Sequence, residues 1–396
     1  MKRTIPIRYF IIFDVILTII MTGYWTITDT ASNTLAIAAA IFIAALPLPY
    51  FLADLFPRYR GIRKAKSAGI SLNDKTALAD VSNLDTVIIN KAGIITAGKP
   101  KIVGLIPEGV SQLVLLTIAG SAEKNAKHPI GKAILKMAEE RVYKLHSVAA
   151  ANEIPSCGVE AIVSHTTIRV GRAQWLQAEG VHISAEILTK TDQIAQRGQI
   201  PVLVANGNFC RGIIVLEDAI IAESTFALHK LNRQQIKTVM LTGESRRLAN
   251  AIGKAAGIDI IKADLTTDAI AREVQLLQAH GAMIAAISQK ETSPLALATD
   301  LMVYLTTPAA EIKPPKDTIY IPSGQLWDFT ILIDISRHYA NSAKQNRHIA
   351  IIALIMMLAP ALGLFHVCGG PFLPPLAALT GQITAIILIV INSWRH

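Results

Sequence analysis

The sequence predicts a membrane protein whose soluble part is α/β, with a core sheet covered on both faces and interrupted by a separate α+β segment. Three observations carry that reading. First, 52% of the 396 residues are hydrophobic and the mean hydropathy is +0.42, too apolar for an ordinary soluble chain of this size. Four stretches, roughly Ile5–Ile27, Leu35–Leu55, Ile349–Val367 and Phe372–Trp394, approach the ~20 residues that cross a bilayer. Second, short apolar runs at Thr86–Ile89, Thr238–Leu241 and Ala282–Ile287 each lead into a polar or glycine-bearing loop. Continuous apolar runs of this length suit strands buried on both faces of a parallel sheet, and chemistry sits in the loops at their C-terminal ends. Third, a segment of about 110 residues with its own pattern separates the first of these runs from the others.

The first apolar stretch is long, has no small-residue cleavage site and carries Asp14, so it reads as a span rather than a leader. Lys2, Arg3 and Arg8 open it; Arg58, Arg60, Arg63, Lys64 and Lys66 follow the second stretch; Lys344, Arg347 and His348 precede the third; Arg395 follows the fourth. The short connections, about Thr28–Thr34 and Cys368–Pro371, hold no Lys or Arg. This distribution places both termini and the Arg58–Lys344 portion on the cytoplasmic side, as in a multi-pass protein of a bacterial inner membrane. Much of the net charge of +9 lies in these flanks, where it serves topology and contact with membrane lipid. No basic patch interleaved with aromatics points to nucleic acid. Cys157, Cys210 and Cys368 make no disulfide framework.

The run Asp85-Thr86-Val87-Ile88-Ile89-Asn90-Lys91-Ala92-Gly93-Ile94-Ile95-Thr96 closely resembles the phosphorylation motif of P-type ATPases, in which an Asp and then Lys-Thr-Gly-Thr-Leu-Thr follow the strand. Lys91, Gly93 and Thr96 match, but Asn90 occupies the nucleophile position. A carboxylate attacks phosphorus because it is anionic and can form an acyl phosphate; a neutral amide does neither. The resemblance therefore implies a fold with degraded chemistry: a HAD-like Rossmannoid phosphorylation-type domain over 61–97 and 207–324, with an inserted nucleotide-binding-type domain over 98–206. Residues 1–60 would hold two spans, and 325–396 a connecting helix and two more.

Within the insert, Glu123-Lys124-Asn125-Ala126-Lys127-His128-Pro129-Ile130 followed by Gly131-Lys132-Ala133-Ile134 resembles the His-Pro helix of the heavy-metal branch, whose Glu and His lie near adenine. Ser156-Cys157-Gly158-Val159-Glu160-Ala161 resembles that branch's Gly-x-Gly-Val-x-Gly loop with only the central glycine kept. Val170-Gly171-Arg172 resembles the turn closing the same site. The resemblance implies nucleotide contacts from Glu123, His128, Pro129, Gly158 and Gly171, weakened because Ser156 and Ala161 add bulk where a purine approaches the backbone. ATP or ADP would bind weakly, or the domain would persist without a ligand.

The core is expected to resume at Ile200, with strands at Pro201–Ala205 and Gly212–Leu216 and a helix starting at Glu217-Asp218. Thr242-Gly243-Glu244 resembles the family's Thr-Gly-Asp. Ser288-Gln289-Lys290-Glu291-Thr292-Ser293-Pro294 stands where the family has Gly-Asp-Gly-x-Asn-Asp-Ala-Pro, whose aspartates organise Mg²⁺. It supplies no aspartate, so Mg²⁺ is not expected to support turnover. The family's lysine in the preceding helix also lacks a match, Arg272 being the nearest cation. In the second span, Leu46-Pro47-Leu48 resembles the Cys-Pro-Cys metal site with both thiolates replaced, and leucine holds no soft cation. Prolines there remove backbone bonds and force local unwinding. The polar ligands of the last spans correspond to Ala353-Leu354 and to Gln382 with Ala385 and Ile386; Met356 and Met357 lie nearby.

The family's preceding helices and Thr-Gly-Glu actuator have no counterpart ahead of the first span. The implied protein is a non-catalytic homologue, a scaffold or regulatory subunit acting through a partner: a complete P-type ATPase, a separate actuator half or a second copy. A nucleotide-sensing membrane protein and a cation pump with altered chemistry are the alternatives.

Overall fold

The computed structural model describes residues 7–28, 34–72, 76–142, 144–155, 157–279, 281–289, 299–306 and 318–395. The chain divides into two compact units, Met1–Ser82 with Leu332–His396, and Asn83–Ile331.

The first unit is helical. Ile7–Thr28, Thr34–Ala45, Leu48–Ser67 and Pro375–Trp394 are helices, and they pack with the end of a long helix around Ile41, Ala44, Met357, Ala361 and Ala378. Among the described residues, three apolar stretches have the length and hydropathy to cross a membrane: Tyr9–Thr28, Thr34–Ser67 and Pro375–Trp394. The expected third span does not stand alone. It forms the end of one 36-residue helix, Leu326–Ala361, which is continuous with the expected connecting helix and stops before Gly363, whose φ is +95°. Residues 61–82, expected in the core domain, belong to this helical unit.

The second unit holds two sheets. In its core the strand order is Thr318–Tyr320, Leu301–Tyr304, Ile284–Ser288, Thr86–Ile89, Lys237–Leu241, Ile260–Lys262, and every pairing is parallel. Ile88, Val239, Ile284 and Ala286 face one apolar cluster, while the intervening Val87, Met240, Ala285 and Ile287 are buried as well. Burial on both faces is why these strands read as unbroken apolar runs. The order reverses about Thr86–Ile89, whose neighbours come from later in the chain on either side, so its C-terminal end opens on a topological switch point.

The inserted sheet is antiparallel, in the order Lys101–Pro107, Phe209–Glu217, Ile200–Asn206, Thr166–Gly171, Gly158–Val163, Val148–Ile154. Its residues alternate between two cores. Val202, Val204, Ile214 and Leu216 pack beneath the helices Gln112–Ala122 and Pro129–Arg141; Leu203, Ala205, Ile213 and Val215 pack on the other side, with Trp175 and Leu176 from the helix Ala173–Ala178. This corrects the expected boundary: the strands at 200–217 are real, but they pair within the insert, and the core sheet resumes only at Lys237. The expected helix at Glu217-Asp218 is also displaced, beginning at Ala222.

Candidate functional site at the core strand ends

Three parallel strands deliver Asn90, Thr242–Glu244 and Gln289 to one edge of the core sheet. The backbone N–H of Asn90 donates to the carbonyl of Ile287, tying the first loop to the strand beside it. The chain then turns back tightly: the Lys91 carbonyl accepts from the N–H groups of Ile94, Ile95 and Thr96, and Gly93 N–H donates to the Thr96 carbonyl at 2.8 Å. Gly93 sits at φ +82°, a left-handed conformation that a side chain resists. Ile94 and Ile95, where the sequence resemblance has threonine and leucine, are buried beneath this turn.

Lys91 is buried and forms an ion pair with the Glu244 carboxylate, whose second oxygen Oε2 is buried without a hydrogen-bond partner. Glu244 N–H donates to the Thr242 hydroxyl, which fixes the second loop. From the third strand end, the Gln289 amide donates to the Gly93 carbonyl. Its Oε1 lies where a β-carbon on Gly93 would stand, so the glutamine lies over the turn. Among the described residues of the loops that follow the three strands, only Glu244 carries a carboxylate. Mg²⁺ takes carboxylate and phosphate oxygens in near-octahedral array, and the one carboxylate offered is already paired with a cation. The donor set does not fit Mg²⁺. Lys290 to Pro294, including Glu291, lie outside the described residues. Arg272 donates through Nε to the Asp268 carbonyl of its own helix.

The sequence reading missed how the insert is fastened. Thr96, fully buried, donates to Asp218 at 2.6 Å, and Asp218 also accepts from the N–H groups of Gly98 and Lys99. One carboxylate thus binds the outgoing and returning linkers, and nothing in its local sequence marks it. Arg172 donates to the Gly243 carbonyl at 2.6 Å, and Asp192 pairs with Arg247. The insert's turn therefore rests on the Thr242–Glu244 loop.

Within the insert, His128 is exposed and caps the helix Pro129–Arg141, its Nδ1 accepting from Ile130 N–H at 3.2 Å. Pro129 fills the first helical position, where its missing N–H has no bond to make. Glu123 is buried against Gly131, and its Oε2 has no hydrogen-bond partner. Burial, with the charge of Glu153 adding to it, pushes the Glu123 carboxyl up to about 7. Gly158 and Gly171 face each other across paired strands beneath Trp175. A β-carbon on Gly158 would come within 2.2 Å of the Val170 carbonyl, and one on Gly171 within 2.4 Å of the Cys157 carbonyl. Close packing alone thus accounts for both glycines. Ser156 lies outside the described residues.

In the helical unit, the second apolar stretch is broken between Ala45 and Leu48. Pro47 has no N–H for the Ile43 carbonyl four residues earlier. The buried Gln382 amide takes its place, donating to Ile43 and Leu46 carbonyls at 2.9 Å each. Leu48 is half exposed and Met356 is 71% exposed, whereas Met357 packs against Gly381. Leu46, Leu48 and an amide already engaged with backbone give no soft donor set, so this break does not fit a thiophilic cation.

The family model of haloacid dehalogenase-like hydrolases matches residues 84–289. The chain is 28% identical over 384 residues to the copper-exporting P-type ATPase of Vibrio cholerae, covering 96% of this chain and 42% of that protein. It is 27% identical over 390 residues to the probable copper-exporting P-type ATPase of Archaeoglobus fulgidus, covering 98% and 48%. The chain thus spans about half the length of these curated relatives. Among solved structures, a zinc-transporting PIB-type ATPase in the E2.Pi state superposes with a TM-score of 0.69 at 21% identity, covering all of this chain and 65% of that one. The catalytic domain of a CPx-ATPase superposes with a TM-score of 0.52 at 22% identity, covering 69% and 97%. These two likenesses concern the fold.

Proposed function

We propose that this chain, which belongs to the haloacid dehalogenase-like hydrolase family and is a homologue of heavy-metal P-type ATPases, is a non-catalytic membrane scaffold or regulatory subunit. The observation that carries this reading is the strand-end site. Asn90 supplies no anionic nucleophile, Glu244 is paired with Lys91, and Gln289 lies over the Gly93 turn. Phosphoryl transfer relies on positioning and on charge stabilisation of the transferring group; here an amide stands at the nucleophile position, and Glu244, the carboxylate among the described residues of the three loops, is already paired. In our reading the protein crosses the membrane four times, with both termini and the large domain on the cytoplasmic side. It acts through a protein partner: a complete P-type ATPase, an actuator half or a second copy. Copper transport, named for the relatives, is not proposed, because Leu46 and Leu48 offer no thiolates. The test is phosphate release by the full-length chain in lipid with Mg-ATP and a panel of monovalent and divalent cations. No vanadate-sensitive release is expected; cation-stimulated release would make the protein a pump.

Glu123 favours a second reading. Its orphaned, buried Oε2 is an acceptor suited to an exocyclic amine, as on adenine. A nucleotide held through the insert alone would bind at roughly 0.1–1 mM, about 4–5.5 kcal/mol, with ATP and ADP alike and Mg²⁺ indifferent. Because the insert's sheet closes only with Phe209–Glu217, the titration belongs on a chain that includes it. Chemical shifts near Glu123, His128 and Gly158 support nucleotide sensing; none at about 5 mM nucleotide, several-fold above that Kd, excludes it.

A further inference from the structure

Asp14 lies in the first apolar helix, Ile7–Thr28, and is 1% exposed. Both carboxyl oxygens are buried without a hydrogen-bond partner, and the Thr18 hydroxyl stands beside them. No ion pair reaches Asp14 among the described residues. The helix packed along it, Thr34–Ala45, has no titratable side chain. In the helix Leu48–Ser67, which touches it through Phe51, Asp54 is the first charged group, and Tyr339, Arg58 and Arg347 engage it. Near the other end of the Asp14 helix, His366 packs edge-on against Trp25, about 16 Å along the axis from Asp14.

An isolated carboxylate in such a place is too costly to keep ionised, and an ionisable residue inside the membrane is a functional-site candidate. Towards the N-terminal end stand Phe10, Ile11, Ile12 and Phe13, with Phe10 closed edge-on against Phe51 at 5.7 Å. Towards the other end, Thr18, Thr22 and Thr26 repeat every fourth residue on one face. They border an open, largely apolar groove together with Ile19, Gly23, Ile27 and Ala38, and Asp14 itself does not line it. The Thr18 and Thr22 hydroxyls are themselves buried without partners.

We propose that Asp14 is a proton-binding site within the membrane, closed off on its N-terminal side by Phe10 and Phe51. The ligand is a proton rather than a metal ion, because a divalent cation needs further anionic ligands. No cluster of three or more His, Cys, Asp or Glu exists among the described residues. The inference rests on the membrane-protein reading and is independent of what happens at Asn90.

The test is infrared spectroscopy of the full chain in lipid vesicles, with isotope-labelled aspartate. At neutral pH the carbonyl stretch of a protonated carboxylic acid is expected, shifted by the label and lost in Asp14→Asn. Asp14→Glu should keep an acid band but remove it from the labelled set, which holds the assignment should the asparagine variant fold poorly. A labelled-acid band missing at neutral pH, or one abolished by Na⁺ or Ca²⁺ at constant pH, overturns the proton site.

Discussion

Lys91 keeps the position that the phosphorylation motif gives it, yet its ammonium faces a glutamate of the same protein rather than a phosphate. Glu244 is one methylene longer than the aspartate it replaces, and with Asn90 neutral its carboxylate is the nearest compensation for a buried cation. At this scale the sequence was informative about which residues changed and silent about what they do instead. Asn90 and the lack of an aspartate in Ser288–Pro294 could be read directly, whereas the bond from Gln289 to Gly93 joins residues 196 positions apart. Glu123 gives the pH dependence. Its folded-state value of about 7 exceeds the ordinary 4.5, so the folded protein binds the extra proton. Its burial costs nothing below about pH 4.5, and the cost grows as pH rises to about 7, reaching about 3 kcal/mol. Glu123→Gln should therefore raise the thermal midpoint at pH 8 and leave it nearly unchanged at pH 4.5. Equal shifts at both values would mean that the carboxyl is not held protonated by its burial.

The helix break shows how an element keeps its backbone satisfied. Pro47 removes one donor and interrupts the ladder, and Gln382 from another helix supplies two bonds to the carbonyls left open. A lone glutamine in an apolar span was a visible signal, but the sequence could not say which carbonyls it meets. Gln382→Leu should destabilise the protein in detergent by about 1–3 kcal/mol. Pro47→Ala restores an N–H for Ile43 and should recover part of that loss when the two are combined. Strictly additive effects would show that Gln382 does not answer for the missing proline donor. The strands at 200–217 teach a different lesson. Because both faces of the inserted sheet are covered, they read as continuous apolar runs, as parallel core strands do. Their pairing partner, Lys101–Pro107, lies about 100 residues away, and local pattern has no access to it. The merged helix Leu326–Ala361 has the same cause: nothing between Gln345 and Ile349 breaks a helix, so composition changes while the backbone continues.

At the scale of the molecule, the order of elements was legible because the order of the motifs is kept where several of their residues differ. The Asn90 loop, the His128 helix, the Thr242 loop and the Ala282–Ile287 run follow one another as in the family. The fastening of the insert to the core by Asp218, Arg172 and Arg247 was not legible, since each contact joins residues far apart in sequence. Of these, Arg172 holds the insert's turn on Gly243 of the Thr242–Glu244 loop. The central claim is that the core strand-end site cannot accept phosphate. The most direct measurement is incubation of the full-length chain in lipid with γ-radiolabelled Mg-ATP, followed by acid quenching and counting of protein-bound label. The wild-type chain is predicted to carry none, and Asn90→Asp alone to carry none either, because Mg²⁺ still lacks its carboxylates and Gln289 still lies over Gly93. Acid-stable, hydroxylamine-sensitive label on the wild-type chain, or its appearance in Asn90→Asp, would contradict the account.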